Sequence, residues 1–146
     1  MRALIEAYES TTFRIELPDG EVALRPRSLC HELDQFLTKN GWQYAAVITA
    51  FNPKSIETTR EQNDLANREM ELRIVSGGYS FFPGAGAGED PDWQPEDSFL
   101  ICGIALKPAL EIAEEFGQYA LAFHALGQGT VMELTRSGSG PSPVWG

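Results

Sequence analysis

The order of strand-like and helix-like segments between residues 44 and 126 restricts the fold more than any other feature of this chain. Continuous apolar runs rich in β-branched residues are typical of buried strands, and apolar residues at i, i+3, i+4 and i+7 are typical of amphipathic helices. These patterns follow one another as strand, helix, strand, strand, helix, strand. Because a crossover between parallel strands is almost always right-handed, few sheet topologies are compatible with this order.

Turn and capping residues set the boundaries of these central segments. We predict strands at residues 44–51, 79–82, 99–105 and 119–126, and helices at 58–75 and 108–116. The stretch 83–95 is rich in Gly, Pro and Asp, which predicts a long loop between the second and third strands. The commonest sheet with this element order is the ferredoxin-like split βαβ sheet, in which the strands lie in the order 4-1-3-2.

Further elements flank the central unit at both ends. We predict a hairpin at residues 11–24 around Pro18-Asp19-Gly20, a helix capped by Ser28 that runs to Asn40, and a last strand at 130–135. The fold class is therefore α+β: a ferredoxin-like mixed sheet with helices packed on it, extended by an N-terminal hairpin plus helix and a C-terminal strand. Residues 1–136 are expected to form one domain, and 137–146 a flexible Gly/Ser/Pro tail.

Charge and hydropathy exclude several classes of protein. The formal net charge of -10 would repel nucleic-acid phosphates, so non-specific nucleic-acid binding is not expected. No apolar run approaches the length of about 20 residues that a membrane helix needs, and residues 1–8 lack the apolar segment of a secretory signal. We therefore expect a cytoplasmic protein with no membrane partner. Cys30 and Cys102 are predicted to be structural thiols.

The predicted topology brings polar and small residues from distant parts of the chain to one edge of the sheet. In the order 4-1-3-2, the first two central strands run one way and the last two run the other way. The ends of the first pair and the starts of the second pair therefore share an edge. We predict a ligand site there, formed by Asn52, Ser55, Gly84, Gly86, Glu96, Ser98 and Gln118.

Several of these residues have predicted binding roles. Asn52, Ser55 and the N-terminus of the first central helix would bind polar or anionic groups, because helix N-termini offer free N–H groups. Trp93 would stack on a ring of the ligand or cover the core. Asn63 and Asn67 interrupt an apolar helix face, so each needs a hydrogen-bond partner. Either both asparagines hold the neighbouring loops in place, or Asn63 points into the site.

Glu96 and Ser98 are the candidate catalytic residues. Residues two apart on an extended segment face the same side, so the two side chains would lie together. A buried glutamate could then act as general base, with the serine as nucleophile. The alternative is that Glu96 caps backbone amides or pairs with Arg60 or Arg68.

Other kinds of chemistry are less compatible with the sequence. His31 and His124 have no ligand spacing, so zinc is not predicted, whereas Mg²⁺ bound through Glu96 and a phosphate stays open. Cys102 and His124 cannot form a nucleophile–base pair, because the first central strand would separate their strands by about 9 to 10 Å. The glycines at 84–88 do not begin a helix, which excludes a dinucleotide-binding motif.

Two motifs carry a resemblance to a known family. They are Thr49-Ala50-Phe51-Asn52-Pro53-x-Ser55 and Trp93-x-x-Glu96-x-Ser98, followed by Phe116-Gly117-Gln118-Tyr119-Ala120. With Asn63 and the opening at residues 8–13, they make the chain resemble the bacterial domain of unknown function 3293 family over about residues 5–135. That family has no settled activity, so the resemblance implies no mechanism and no cofactor. It implies that the predicted site residues act as one unit.

Two functions from different classes remain after these exclusions. The first is a domain that binds, and could process, a small polar or nucleotide-like ligand at the sheet edge. The second is a non-catalytic acidic module that binds another protein, in which the polar edge is an internal hydrogen-bond network. Whether the chain is an enzyme stays open at this point.

Overall fold

The computed structural model describes residues 8–89, 92 and 94–138, and its elements follow the predicted order. They are β1 (Thr12–Leu17), β2 (Gly20–Leu24), α1 (His31–Asn40), β3 (Tyr44–Ile48), α2 (Arg60–Ser76), β4 (Ser80–Ala87), β5 (Glu96–Cys102), α3 (Leu106–Glu115), β6 (Ala120–Ala125) and β7 (Gly129–Leu134). Among the described residues, no helix is both long enough and apolar enough to cross a bilayer.

The seven strands form one sheet in the order β2-β1-β4-β5-β3-β6-β7. The α+β class, the N-terminal hairpin plus helix and the C-terminal strand are confirmed. The expectation of a mixed sheet is wrong, because every pair of neighbouring strands is antiparallel. The reason is that each crossover helix joins two strands that have a third strand between them: β5 separates β3 from β4, and β3 separates β5 from β6.

The alternation of side chains along each strand gives the sheet two apolar faces. We call the first the two-helix face, because α2 and α3 cover it; its core includes Ile48, Ile101, Met70, Ile74 and Ile112. We call the second the α1 face. There Leu33 and Leu37 of α1 pack with Ile15, Val47 and Leu100 of the strands.

Helix α1 covers only part of its face. Its ten residues span about 15 Å, and the buried cluster beneath it takes Leu100 and Cys102 from β5 but not the earlier residues of that strand. Glu96 and Ser98 lie on the same face as Leu100, since they are separated from it by even numbers of residues. The part of the α1 face that carries Glu96 and Ser98 is not packed against a helix and lines a cavity.

The glycine-rich stretch after residue 83 is a strand and not the start of a loop. β4 continues through Ala87, and Gly84 pairs with Ile15 of β1 on one side and with Ser98 of β5 on the other. The predicted loop at 83–95 is therefore wrong over its first part. Gly and Ala are poor strand formers, but here ladders on both sides satisfy the backbone and small residues allow β1 to pack closely.

The start of α1 also differs from the prediction. The helix begins at His31 with Cys30 at its N-cap, whereas Ser28 forms an isolated β-bridge with Thr130. Leu29, which would be the first helical residue after a cap at Ser28, is 71% exposed. Pairing with the last strand therefore displaces the helix start by two residues, from a cap at Ser28 to one at Cys30.

The C-terminal tail is only partly described. Ser137 hydrogen-bonds to the Glu114 carboxylate through both its backbone N–H and its hydroxyl, and the Gly138 N–H donates to Thr135 Oγ1. The first two residues of the predicted tail are therefore held against the domain. Residues 139–146 lie outside the described residues.

The arrangement of β3, β5 and β6 confirms that Cys102 and His124 are not a catalytic pair. Both pair with Ala45, from opposite sides of β3. Burial raises the pKa of the Cys102 thiol to about 12, which disfavours the reactive thiolate. His124, 1% exposed, contacts Asp34 of α1 at 2.6 Å and Thr130 of β7 at 2.9 Å.

We predict that Asp34→Ala lowers the free energy of unfolding by about 1 to 3 kcal/mol, because a nitrogen of the buried His124 ring loses its partner. Asp34 also accepts a hydrogen bond from the Gly127 N–H in the β6–β7 turn. Urea unfolding followed by circular dichroism measures the change. Glu32→Ala, an exposed change in the same helical turn, is the control. Equal effects of the two substitutions would contradict the role given to Asp34.

A second prediction concerns the close approach of β1 to β4. A Cβ at Gly84 would lie 2.5 Å from Ile15 Cδ1 and 2.9 Å from the Arg14 carbonyl oxygen, whereas a Cβ at Gly88 would contact nothing within 4 Å. We expect Gly84→Ala to lower the free energy of unfolding by about 1 to 3 kcal/mol and Gly88→Ala to change it by less than about 0.5 kcal/mol. Chemical denaturation of both variants tests this, and a harmless Gly84→Ala would refute it.

Candidate functional site

A cavity of about 410 Å³ lies on the part of the α1 face that α1 leaves uncovered. Six residues predicted for the site line it: Asn52, Ser55, Gly86, Glu96, Ser98 and Gln118. They come from the loop after β3, from β4 and β5, and from the turn before β6. The structure therefore brings together side chains that are separated by up to 66 positions along the chain, from Asn52 to Gln118.

The remaining wall is supplied by residues that the sequence did not single out. Tyr8, Ser10 and Thr11 close one side, and Gly88 and Glu89 lie beyond the end of β4. The apolar and mixed part of the wall consists of Phe13, Val47, Thr49, Ala120, Leu121, Ala122 and Met132. Strand pairing is what would have identified these residues from the sequence, because Phe13 lies opposite Gly86 and Val47 lies opposite Ala122.

The loop after β3 has an unusual backbone. Asn52, Lys54 and Ser55 all have positive φ values, of 47°, 60° and 59°. Such conformations cost non-glycine residues of the order of 1 kcal/mol or more each, and persist only where the surroundings impose them. Here the Lys54 N–H donates to the Gly117 carbonyl oxygen at 2.7 Å, which fixes the loop against the turn before β6.

Asn52 and Asn63 form a reciprocal pair of hydrogen bonds. The Asn52 N–H donates to Asn63 Oδ1 at 2.8 Å, and Asn63 Nδ2 donates to Asn52 Oδ1 at 3.0 Å. The same Asn52 oxygen accepts from the Thr58 N–H at 3.0 Å. Asn52 Nδ2 donates to Glu96 Oε2 at 2.9 Å. We call Asn52, Asn63 and Glu96 the amide network; it connects the loop, α2 and β5.

Asn67 has a similar supporting role one turn later on α2. Its Oδ1 accepts from the Ala50 N–H at 2.9 Å, and its Nδ2 donates to the Asp97 carbonyl oxygen at 3.0 Å. Neither Asn63 nor Asn67 lines the cavity. Of the two roles left open by the sequence, these contacts favour the structural one.

Ser98 is a buried polar residue whose hydroxyl receives no hydrogen-bond partner from the described residues. It is 4% exposed, lies in the cavity wall, and its Oγ has no hydrogen-bond partner among the described residues. The neighbouring Thr49 hydroxyl donates to the Asp97 carbonyl oxygen at 2.6 Å and is therefore already used. A buried hydroxyl without a partner costs about 1 to 3 kcal/mol, which distinguishes Ser98 from the hydrogen-bonded polar residues around it.

Gln118 has both of its amide hydrogens directed at the backbone. Nε2 donates to the Phe51 carbonyl oxygen at 3.0 Å and to the Phe116 carbonyl oxygen at 3.3 Å. Among the described residues no donor reaches its Oε1, which is therefore an acceptor available beside the cavity. At the rim, the Tyr8 and Ser55 hydroxyls contact each other at 3.1 Å, and burial raises the pKa of Tyr8.

The charged side chains among the described residues of the cavity wall are carboxylates. Glu89 and Glu96 contribute carboxylates, and none of the described lining residues is Lys, Arg or His. The N-terminus of α2, predicted to bind polar or anionic groups, lies away from this cavity: no residue of its first turn lines the cavity, and the Gln62 N–H donates to Thr59 Oγ1. Arg60 forms its ion pairs with Asp64 and Asp97.

The predicted catalytic pair is adjacent in the wall but not joined. Glu96 accepts from Asn52, whereas Ser98 Oγ has no hydrogen bond to any described group, Glu96 included. The contact between nucleophile and base that the sequence suggested is therefore not formed. In the described part of the chain, His, Cys, Asp and Glu side chains form no group of three or more that could hold a metal ion.

Gly84, another predicted site residue, is not among the described residues that line the cavity. Gly84 lines a separate groove on the two-helix face, together with Arg14, Glu16 and Arg68. The separation follows from its position: the space on the α1 side of Gly84 is filled by Ile15. Trp93 lies outside the described residues.

The amide network generates a prediction about stability. Asn63→Ala should lower the free energy of unfolding by about 1 to 3 kcal/mol, because the buried Asn52 N–H loses its acceptor. Asn40→Ala is the matched control, since Asn40 is an exposed helical asparagine whose one side-chain bond is to the Phe36 carbonyl oxygen. Guanidinium unfolding of both variants measures the difference. If Asn63→Ala is no more destabilising than Asn40→Ala, the network does not hold the loop.

Comparison with known proteins identifies a family but no activity. A family model described as "Protein of unknown function (DUF3293)" matches residues 48–121, about half of the 146-residue chain. The match includes most of the cavity's polar wall, from Thr49 to Gln118. No curated protein and no solved structure matches the chain. The chain belongs to the DUF3293 family of proteins of unknown function.

Proposed function

We propose that this domain binds a small polar ligand in the cavity on the α1 face. The observation that carries the proposal is the Ser98 hydroxyl, which is buried in the cavity wall without a partner among the described residues. Folding has removed this group from water without replacing its hydrogen bond, and a ligand would supply the missing partner.

The size and composition of the cavity support the same function. Its volume of about 410 Å³ is within the range of roughly 300 to 1,000 Å³ found for small-molecule sites. Such sites combine an apolar wall with a few convergent polar groups. Here Val47, Ala122 and Met132 supply apolar surface, and Ser98 and Gln118 supply polar groups.

The absence of a cation among the described lining residues narrows the ligand. A phosphate would meet the carboxylate of Glu89 in a wall whose described residues include no Lys or Arg. We therefore favour an uncharged or positively charged polar molecule over a phosphorylated one. Glu96 and Ser98 are proposed as ligand contacts; a catalytic role would require the ligand to bring them into the same hydrogen-bond network.

The fold supports a rigid site. We infer that the central strands form a ferredoxin-like unit, because β6, β3, β5 and β4 lie in the order 4-1-3-2 of that topology. Side chains on strands are held more precisely than side chains on loops. Ser98 and Glu96 are on β5, and the amide network fixes the loop that carries Asn52.

An alternative is that the domain binds another protein. The outward side of α2 exposes Leu65, Leu72 and Val75, which is the observation that favours it. The two functions predict different effects of removing the Ser98 hydroxyl. If the domain only binds another protein, stabilisation by small molecules should be the same with and without that hydroxyl; if the cavity binds a ligand, the stabilisation should be lost.

We predict that Ser98→Ala abolishes stabilisation by small polar ligands without destabilising the free protein. Removal of an unpartnered buried hydroxyl should leave the urea midpoint unchanged or raise it, because the cost of burying that group disappears. Thermal shifts with a panel of nucleosides, amines, sugars and amino acids measure binding. Ser80→Ala, an exposed serine on β4, is the control and should respond like the unmodified protein.

Two results would contradict this proposal. One is a panel in which the same compounds stabilise Ser98→Ala and the unmodified protein equally. The other is a large loss of stability in Ser98→Ala without ligand, which would show that the hydroxyl has a structural partner. Thr130→Val is the reference for that second case, because its hydroxyl is buried and contacts His124 at 2.9 Å.

A further inference from the structure

We infer that the ligand of the cavity on the α1 face carries one hydrogen-bonding group on an otherwise apolar body, as a phenol or a branched alcohol does, and that this group bonds to the Ser98 hydroxyl. The inference rests on the proposed binding function and names the chemical class of the ligand. It is supported by the partners that the other polar side chains of the wall already have, and by the apolar surface beside Ser98.

The hydroxyl groups around Ser98 are already bonded. The Tyr8 and Ser55 hydroxyls contact each other at 3.1 Å. The Thr49 hydroxyl donates to a backbone carbonyl oxygen at 2.6 Å and accepts from the Phe51 N–H at 3.0 Å. These three hydroxyls therefore have partners within the protein, and a ligand is not needed to supply them.

The other polar side chains of the described wall are engaged or solvated. Both amide atoms of Asn52 are hydrogen-bonded, and Gln118 Nε2 donates to two backbone carbonyl oxygens, while its Oε1 is not buried and can bind water. Glu89 is exposed to solvent. Three further wall residues have interactions of their own: Ser10, Thr11 and Glu96. In the described wall, Ser98 is thus the one buried polar side chain without a partner.

The surface on either side of Ser98 is apolar. On the strands next to β5 the cavity is lined by Gly86 of β4 and Val47 of β3, and beyond them by Phe13 of β1 and Ala122 of β6. None of these side chains can donate or accept a hydrogen bond. A second polar group of the ligand would lose its bonds to water against this surface and gain none, whereas burial of an apolar body is favourable.

A water molecule is a poorer partner for Ser98 than such a ligand. A buried water needs about two to four polar partners, and the neighbouring Thr49 hydroxyl is already used both as donor and as acceptor. A phenol or alcohol makes its hydrogen bond to Ser98 while its body contacts the apolar wall. The cavity of about 410 Å³ has room for that body, since an apolar cavity of about 150 Å³ can hold benzene.

Three compounds of the same shape test the inference: toluene, para-cresol and hydroquinone, which carry no, one and two hydroxyl groups. In NMR titrations of the unmodified protein, para-cresol should bind about tenfold more tightly than hydroquinone, because the second hydroxyl would face the apolar wall. Ser98→Ala should weaken the binding of para-cresol about tenfold and leave that of toluene unchanged. Ser80→Ala, an exposed serine on β4, is the control and should change neither.

A second pair of variants tests the apolar wall. Met132 of β7 lines the cavity, whereas its neighbour Val131 does not and is 41% exposed. Met132→Gln should weaken the binding of toluene and para-cresol by similar factors, and Val131→Gln should weaken neither. Equal effects of the two substitutions would overturn the assignment of an apolar ligand body.

The outcomes separate this inference from the proposed function. Unchanged binding of para-cresol in Ser98→Ala would overturn the inference, and so would hydroquinone that binds as tightly as para-cresol. If the three compounds do not bind, while sugars or nucleosides bind in a way that depends on Ser98, the inference fails and the binding cavity stands. If neither set of compounds binds the unmodified protein, both fail. The comparison of para-cresol with hydroquinone needs no variant, so it decides the inference even where Ser98→Ala does not fold.

Discussion

The reciprocal hydrogen bonds between Asn52 and Asn63 hold the part of the structure on which the site depends. They satisfy a buried backbone N–H and two buried amide side chains at once. They also keep Asn52 in a left-handed conformation that an isolated asparagine would occupy only rarely. Because Asn52 in turn orients Glu96, the same interaction connects the packing of α2 to the electrostatics of the cavity.

The cavity exists because the two faces of the sheet are covered unequally. Helices α2 and α3 cover the two-helix face, whereas the single ten-residue α1 covers only part of the other face. The uncovered part receives small and polar residues such as Gly86, Ser98 and Ala120, which leave space where leucines would have filled it. The cavity therefore has two causes: α1 is short, and the strands beneath the uncovered area carry small residues.

Much of this arrangement could be predicted from the chain. The alternation of strand and helix patterns was sufficient to place Asn52, Glu96 and Gln118 at one edge, since antiparallel neighbours necessarily bring the end of one strand beside the start of the next. The exclusion of a Cys102–His124 pair followed from the same reasoning and is confirmed by their common partner, Ala45. The glycine-rich part of β4 was not predictable from local preference, because its strand conformation depends on β1 and β5 on either side.

The sequence by itself determined which residues alternate, where helices can begin and end, and hence which polar groups share an edge of the sheet. These are local properties: periodicity and turn chemistry are encoded within a few residues. Tertiary structure alone decided that Leu29 is exposed, that Asn63 bonds to Asn52, and that the hydroxyl of Ser98 is left buried without a partner among the described residues. Each of these depends on which distant side chain arrives at a given point in space, and no short stretch of sequence contains that information.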